Sequence, residues 1–479
     1  MSLKKQTFSG LIWTFTDVFL LRGASFAATI ALARLIGPSD FGLIGMITVF
    51  IAIGACLIES GLSASLIRDK NAGDKDYSTV FYLNVGTSFL VYIILFLCAP
   101  FISDFYKVPL LTTIIRLYCL NFITIALSAV QVALLNKNMQ FKKLMHLNLP
   151  GTLIGVTVGI IMGYQGYGVY SIIWMYLITQ AIQTILLWIF SDWKPSFVFS
   201  VESMKHHYKF GYKLLLSGLL DTVFKNIYNI LIGRFYPVKF LGYYDRAYTL
   251  SEYPVTTISG IVGKVSYPLM AQIQDQTEKV SRVYKQMIQI TFFVVCPLMI
   301  GAAAISEPLF LLFLGKEWLQ AAVFFKIICL ASILYPIHAF NITVLKVYGR
   351  SDLFLKLEVI KKVIAVVGVI AAFQLGIYGL IWSSVVLSFI SLIINTHYSS
   401  GMINYTTKNQ LLDMLPVLVI SAIMYYAMTL LLHILVLNSL YLQIVLPTIV
   451  GFFVYILINF FINATPFILV LKILKERKL

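Results

Sequence analysis

Charge is scarce in this sequence. Asp, Glu, Lys and Arg together make up 12% of its 479 residues, and only 20 of those side chains are acidic. A soluble globular domain carries about 25% charged residues, so a chain this poor in charge lacks the means to keep its surface in water. Cysteine is sparse too. Cys56, Cys98, Cys119, Cys296 and Cys329 are odd in number, widely spaced and set inside apolar runs; they read as membrane-packing residues, neither a disulfide framework nor a metal site. Enzyme signatures are missing: there is no Walker motif, no H-E-x-x-H, no Cys/His cluster at zinc spacing and no nucleophile elbow. The six histidines (His146, His206, His207, His338, His397 and His433) are scattered. No catalytic residue, metal or cofactor is expected.

What is abundant is apolar sequence. Hydrophobic residues make up 59% of the chain, and its mean hydropathy is +0.89, the composition of a polytopic membrane protein. Apolar runs long enough to cross a bilayer, ended by Pro, Gly or charge clusters, predict an all-α membrane protein of about fourteen spans. They lie near 11–34, 41–66, 79–102, 112–134, 148–164, 169–190, 213–233, 248–270, 286–306, 319–345, 357–375, 378–398, 413–436 and 441–465. The first run is too long for a signal-peptide h-region and has no small-residue cleavage site, so it is expected to stay in the mature chain. The net charge of +16 does not point to nucleic acid, because most cations fall in alternate short loops. Lys4 and Lys5 share a side with Arg68, Lys137, Lys142, Lys143, Lys194, Lys279, Arg350 and Lys475. By the positive-inside rule both termini are expected in the cytoplasm.

The chain repeats itself. Span 1 ends on Arg34, Gly37-Pro38 and Phe41-Gly42, and span 7 ends on Arg234, Pro237 and Phe240-Leu-Gly242. Gly166-Tyr-Gly168 recurs as Gly376-Ile-Tyr-Gly379, and Phe141-Lys-Lys-Leu144 as Phe354-Leu-Lys-Leu357. Offsets of about 200 to 213 residues give two six-helix lobes of the same orientation, a parallel pseudo-two-fold repeat. The expected organisation is an N-terminal lobe, 1–190; an interfacial cytoplasmic linker, 191–212; a C-terminal lobe, 213–400; and two extra helices with a basic tail, 401–479.

Within the spans, charge is placed where it is costly. Asp17 and Arg22 lie in span 1, Glu59 in span 2, Arg116 one turn into span 4, Asp221 and Lys225 in span 7, and Lys264 in span 8. Ser217, Asp221, Lys225 and Asn229 recur at i, i+4, i+8 and i+12, one helix face. Asp221 and Lys225 can pair with each other along their helix, and Asp17 with Arg22 across neighbouring helices. Arg22, Arg116 and Lys264 have no local acid, and intramembrane cations suit a phosphate or pyrophosphate, which Arg binds bidentately and Lys as a point charge. Asp17, Glu59 and Asp221 are candidates to take up a coupling proton or sodium ion.

Ala33-Arg-Leu-Ile-Gly-Pro-Ser-Asp-Phe-Gly42, Glu59-Ser-Gly-Leu-Ser-Ala-Ser-Leu-Ile67, Ala133-Leu-Leu-Asn-Lys-Asn-Met-Gln-Phe-Lys-Lys-Leu144 and Gly349-Arg-Ser-Asp352, in that order, resemble the Wzx-type polysaccharide flippases of the multidrug/oligosaccharidyl-lipid/polysaccharide exporter superfamily, in the branch of O-antigen, colanic acid and exopolysaccharide exporters. The resemblance covers essentially the full length. It implies a two-lobed bundle around a cationic cavity, flipping an undecaprenyl-pyrophosphate-linked oligosaccharide across the inner membrane, with a polysaccharide polymerase and a chain-length regulator as partners. On that footing Arg22, Arg116, Lys225 and Lys264 would bind substrate, and Asp17, Glu59 and Asp221 would be its coupling carboxylates. Competing readings are a cation-coupled multidrug exporter of the same fold, which would favour an acidic cavity, and a lipid II flippase. A membrane scaffold and a sugar polymerase are the alternatives of another class; a polymerase should show a large periplasmic loop, and no such loop here exceeds about fifteen residues.

Overall fold

The Gly37-Pro38 turn sets the course of the first helix. In the computed structural model, which describes residues 3–59, 61–69, 71–435 and 438–476, α1 (Leu3–Glu59) is one helical run interrupted at Gly37, whose φ of 76° is a left-handed value that glycine adopts without cost. Pro38 then occupies the first turn of the resumed helix, where its missing N–H is no loss. Asp40 lies one turn on and accepts a backbone hydrogen bond from Val169. The side chains of 3–22, 59, 210, 211, 213, 214, 217, 265, 351, 471 and 473–476 lie outside the description.

The chain divides into two compact units, Met1–Gly242 and Tyr243–Leu479. After α1 the first unit contains α2 (Leu62–Arg68), α3 (Asp74–Tyr106), α4 (Leu110–Tyr118), α5 (Asn121–Lys137), α6 (Phe141–Tyr164), α7 (Val169–Phe190), α8 (Val201–Lys225), α9 (Ile227–Phe235) and the start of α10 (Val238–Gln272). The glycines that interrupt the fifth apolar run turn out to be its packing surface. Gly151, Gly155 and Gly159 recur every fourth residue along α6 and bring it onto the α7 backbone, where added Cβ atoms would press on the Thr179, Met175 and Ser171 carbonyls. Between helices in lipid, where no hydrophobic force acts, such small-residue stripes allow the close van der Waals contact that holds the pair. At the opposite motif, Gly42 meets the Val238 carbonyl and Gly242 meets the Pro38 carbonyl, so neither position has room for a side chain. The two copies of the repeated turn therefore cross each other reciprocally.

The second unit continues α10 and adds α11 (Thr277–Ala304), α12 (Ser306–Phe313), a 3-10 turn (Lys316–Trp318), α13 (Leu319–Ser332), α14 (Tyr335–Val347), α15 (Ser351–Phe373), α16 (Gly376–Ile403), α17 (Thr407–Ile434), α18 (Leu440–Phe461) and α19 (Thr465–Glu476). Its core is apolar around Phe292, Phe310, Phe324 and Phe340, each 1% exposed or less. Polar cross-links between helices join it: Tyr284 donates to Gln410 at 3.2 Å, Tyr455 to the Phe293 carbonyl at 2.9 Å, and His338 lies 3.1 Å from both Ser388 and Asn395. Away from water such bonds carry more weight than at a wet surface.

No strand occurs among the described residues, and ten helical segments are long and apolar enough to cross a membrane. The chain is a multi-pass, all-α membrane protein. Several expected spans are segmented differently. Spans 4 and 10 are each two helices, broken between Tyr118 and Asn121 and between Ser332 and Tyr335. Span 2 ends at Glu59 and not at 66, since Gly61, at φ 67°, turns the chain into α2. Span 7 breaks at Asn226. The face drawn through Lys225 to Asn229 is thus interrupted: Lys225 is exposed at the end of α8, and Asn229 is buried in α9.

Candidate functional site

Asp221 and Lys225 sit one turn apart on α8, Asp221 half-buried and Lys225 exposed. No ion pair joins them: no described carboxylate lies within 4.0 Å of the Lys225 ammonium. Lys264, exposed on α10 in the second unit, is likewise without an acidic partner among the described residues. Arg116 is placed otherwise. It lies half-buried in the last turn of α4, its guanidinium 4.2 Å over the Phe96 ring and its Nε donating to the Phe96 carbonyl at 3.3 Å, an arrangement in which an aromatic face and a carbonyl share the charge. The side chains of Asp17, Arg22 and Glu59 lie outside the described residues. The structure thus brings Asp221 and Lys225 onto one helix and sets Arg116 against α3.

Two other carboxylates within the expected spans went unread in the sequence. Glu252, on α10, accepts from Tyr248 at 3.2 Å, and Glu358 pairs with Lys361 at 2.5 Å in α15. Both could have been found by the rule that singled out Asp221, a carboxylate inside an expected span.

A cavity of 520 Å³ opens in the first unit where α3, α5, α6 and α7 meet the 191–196 segment. Tyr77, Gln131, Asn138, Gln140, Trp193 and Lys194 are among its lining residues. Its floor is fixed by the packing of Leu66, Val80, Phe81 and Val130 beneath Trp188 and Trp193. Trp188 donates to the Leu127 carbonyl at 2.8 Å, whereas the buried Trp193 Nε1 has no hydrogen-bond partner. Its lining carries both signs of charge, Lys143 and Lys194 with Asp74 and Asp192. Lys143 meets Asp192 at 3.2 Å, and beside the cavity Lys137 donates to the Asp69 carbonyl at 2.7 Å and to Tyr77 at 3.0 Å. The Lys143 pair is solvent-exposed and so contributes little to stability. Amides, an indole N–H, ammonium groups and carboxylates around such a volume suit a hydroxyl-rich group of small-molecule size.

The chain is an all-helical membrane protein with a polar cavity in its first unit. Similarity to solved structures agrees in fold: the lipid II flippase MurJ in an inward closed conformation superposes with a TM-score of 0.72 at 16% identity, covering 93% of this chain and 99% of that one. An inward-facing multidrug resistance MATE transporter of the MOP superfamily gives 0.62 at 16% identity, over 82% of this chain and 98% of that one. The chain belongs to the polysaccharide biosynthesis protein family, whose model matches residues 31–323. It is 25% identical to the lipopolysaccharide biosynthesis protein WzxC of Escherichia coli over 78% of this chain and 77% of that protein. It is also 28% identical to the teichuronic acid biosynthesis protein TuaB of Bacillus subtilis over 74% and 73%.

Proposed function

We propose that the chain is a flippase that moves an undecaprenyl-pyrophosphate-linked oligosaccharide from the cytoplasmic to the outer face of a bacterial inner membrane, for synthesis of a surface polysaccharide. The family, the relatives in lipopolysaccharide and teichuronic acid synthesis and the MurJ-like fold support this reading. The observation that carries it is Lys225, a cation on a helix leading into the bilayer that is exposed and in ion-pair contact with no described carboxylate. Facing lipid, such a charge would cost roughly 3 kcal/mol even on the most lenient scale; facing a hydrated path it is free to hold a diphosphate. Lys264, Arg116 and Arg22 are the other proposed pyrophosphate contacts, and Asp17, Glu59 and Asp221 the proposed coupling carboxylates.

In this reading Gly23–Ile58 is two passes divided at Gly37, and α8–α9, α10 and α15, too charged to register as spans by hydropathy, complete the fourteen. Two six-helix lobes alternate access, the prenyl chain stays in lipid, and both termini are cytoplasmic. The cavity beside Trp193 would then receive sugars on the cytoplasmic side. Proteoliposomes carrying an isotope-labelled lipid-linked oligosaccharide test the proposal: the wild-type chain should transfer the label, and Lys225→Ala/Lys264→Ala should lose at least tenfold in rate while eluting as the same monodisperse species. A wild-type chain inert toward glycolipid but extruding cationic drugs would favour the exporter reading.

A further inference from the structure

Four side chains from separate stretches of the first unit meet at the foot of α8. His206 and His207 lie in the second turn of that helix, Asp69 in the α2–α3 turn, and Asp76 in the first turn of α3. One ligand atom from each of Asp69, His206 and His207 lies within 4.8 Å of the others. His206 Nε2 is 3.1 Å from Asp69 Oδ2, and His207 Nε2 is 3.5 Å from Asp76 Oδ1. Tetrahedral Zn²⁺, with bonds of about 2.0–2.1 Å to nitrogen and oxygen, sets neighbouring ligand atoms about 3.3–3.4 Å apart, between these two separations.

The remaining atoms of three of the four residues are already engaged. Asp69 Oδ1 accepts from the Asn71 N–H at 2.9 Å, Asp76 Oδ2 from the Gly73 N–H at 3.1 Å, and His207 Nδ1 lies 2.8 Å from Ser65 Oγ. Outer contacts of this kind fix the tautomer and aim of metal ligands. His207 Nε2, in a side chain 0% exposed, has no hydrogen-bond partner among the described residues, and a buried polar atom left without one is costly. In the tautomer whose Nδ1–H donates to Ser65, the Nε2 lone pair is the one a cation would take.

We infer that Asp69, His206 and His207, with Asp76 facing His207 from α3, form a binding site for a divalent transition-metal ion of the Zn²⁺ type, which clamps the second turn of α8 to the α2–α3 turn. Two imidazoles favour Zn²⁺ over Mg²⁺ or Ca²⁺, whose ligands are oxygens. The clamp joins an anchorage already present, in which the Ser200 N–H donates to Thr79 at 3.0 Å and Ser196 meets Ser78 at 2.9 Å.

The test uses the tag-free, full-length chain in detergent, stripped over a chelating resin and titrated with Zn²⁺ by calorimetry, with bound metal counted by mass spectrometry. One Zn²⁺ per chain is expected, with no heat from Mg²⁺ at the same concentration and a rise in the unfolding temperature on loading. His206→Ala and Asp69→Asn alter groups at the edge of the cluster, so both variants should fold, bind Zn²⁺ at least tenfold more weakly and lose that rise. A wild-type chain that takes up no Zn²⁺, or variants that bind it as tightly as wild type, would overturn the assignment.

Discussion

The two copies of the repeated turn sit in helices of unequal charge. From Asp17 to Glu59, α1 carries Asp17, Arg22, Arg34, Asp40 and Glu59, and its Gly23–Ile58 stretch is apolar enough to rank as a span by hydropathy alone. The segment leading to and from Gly242 carries Asp221, Lys225, Arg234, Lys239, Asp245, Arg246, Glu252 and Lys264, and among the described residues none of α8, α9 or α10 ranks as a span. Yet Gly42 and Gly242 meet each other's motif in the same way, each against a backbone carbonyl. The contact that positions the helices is thus kept in both copies, while the charge is denser in the second. Packing and charge can therefore be disturbed separately.

The largest effect is expected where packing has no room. Gly242→Leu sets a side chain against the Pro38 carbonyl, and because backbone cannot step aside as a rotamer can, the cost should reach about 3 kcal/mol or more. Loss of monodisperse protein, or a sharp fall in its unfolding temperature, is the readout. Gly86→Ala in α3, where an added Cβ meets nothing within 4 Å, should leave both unchanged. Next is Gly155→Leu on the α6–α7 stripe, expected to cost about 1–3 kcal/mol, since there the Thr179 side chain can yield in part; the same thermal measurement ranks it below Gly242→Leu.

The smallest effect concerns a motif remote from both. Arg350 grips Asp352 through two bonds of 2.9 and 2.7 Å, and that hydrogen bonding holds the Asp352 carboxyl down to about 2. A depressed folded-state value means the contribution is complete above the unfolded carboxylate range, about 3.9, and lost as pH falls toward 2. Arg350→Gln should therefore lower the unfolding temperature slightly and by the same amount from pH 5 to 8, with the difference from wild type vanishing as pH falls toward 2; a difference that varies with pH between 5 and 8 would show another group at work.

Much of this was legible in residue order. Long apolar runs gave the helices, Gly37-Pro38 gave the break in α1, and the spacing of Arg34–Gly42 against Arg234–Gly242 gave the repeat that the reciprocal glycine contact now explains. The break at Leu120 was not legible, because in an apolar environment a helix can end without any polar punctuation and hydropathy runs on across the gap; at Asn226 the polar Lys225-Asn226 pair falls within the stretch Ser217 to Asn229, which reads as one continuous polar face. The α6 glycines looked like interruptions since their value lies in α7, a partner that periodicity in one segment cannot name. His206 and His207 were read only as linker polarity, and the contact that gives them meaning joins His207 to Ser65 across 142 positions. Of the proposed site, the placement of Lys225, Lys264 and Asp221 on charged helices was readable, but the seating of Arg116 on Phe96 depends on the turn between α3 and α4.

The most direct test of the central claim, that the more densely charged copy handles an anionic lipid-linked sugar, is initial transfer of labelled undecaprenyl-pyrophosphate oligosaccharide in proteoliposomes by wild type beside Lys225→Ala/Lys264→Ala. The account predicts transfer by the wild type and a drop of at least tenfold in the variant at equal reconstitution. Equal rates from the two proteins would contradict it.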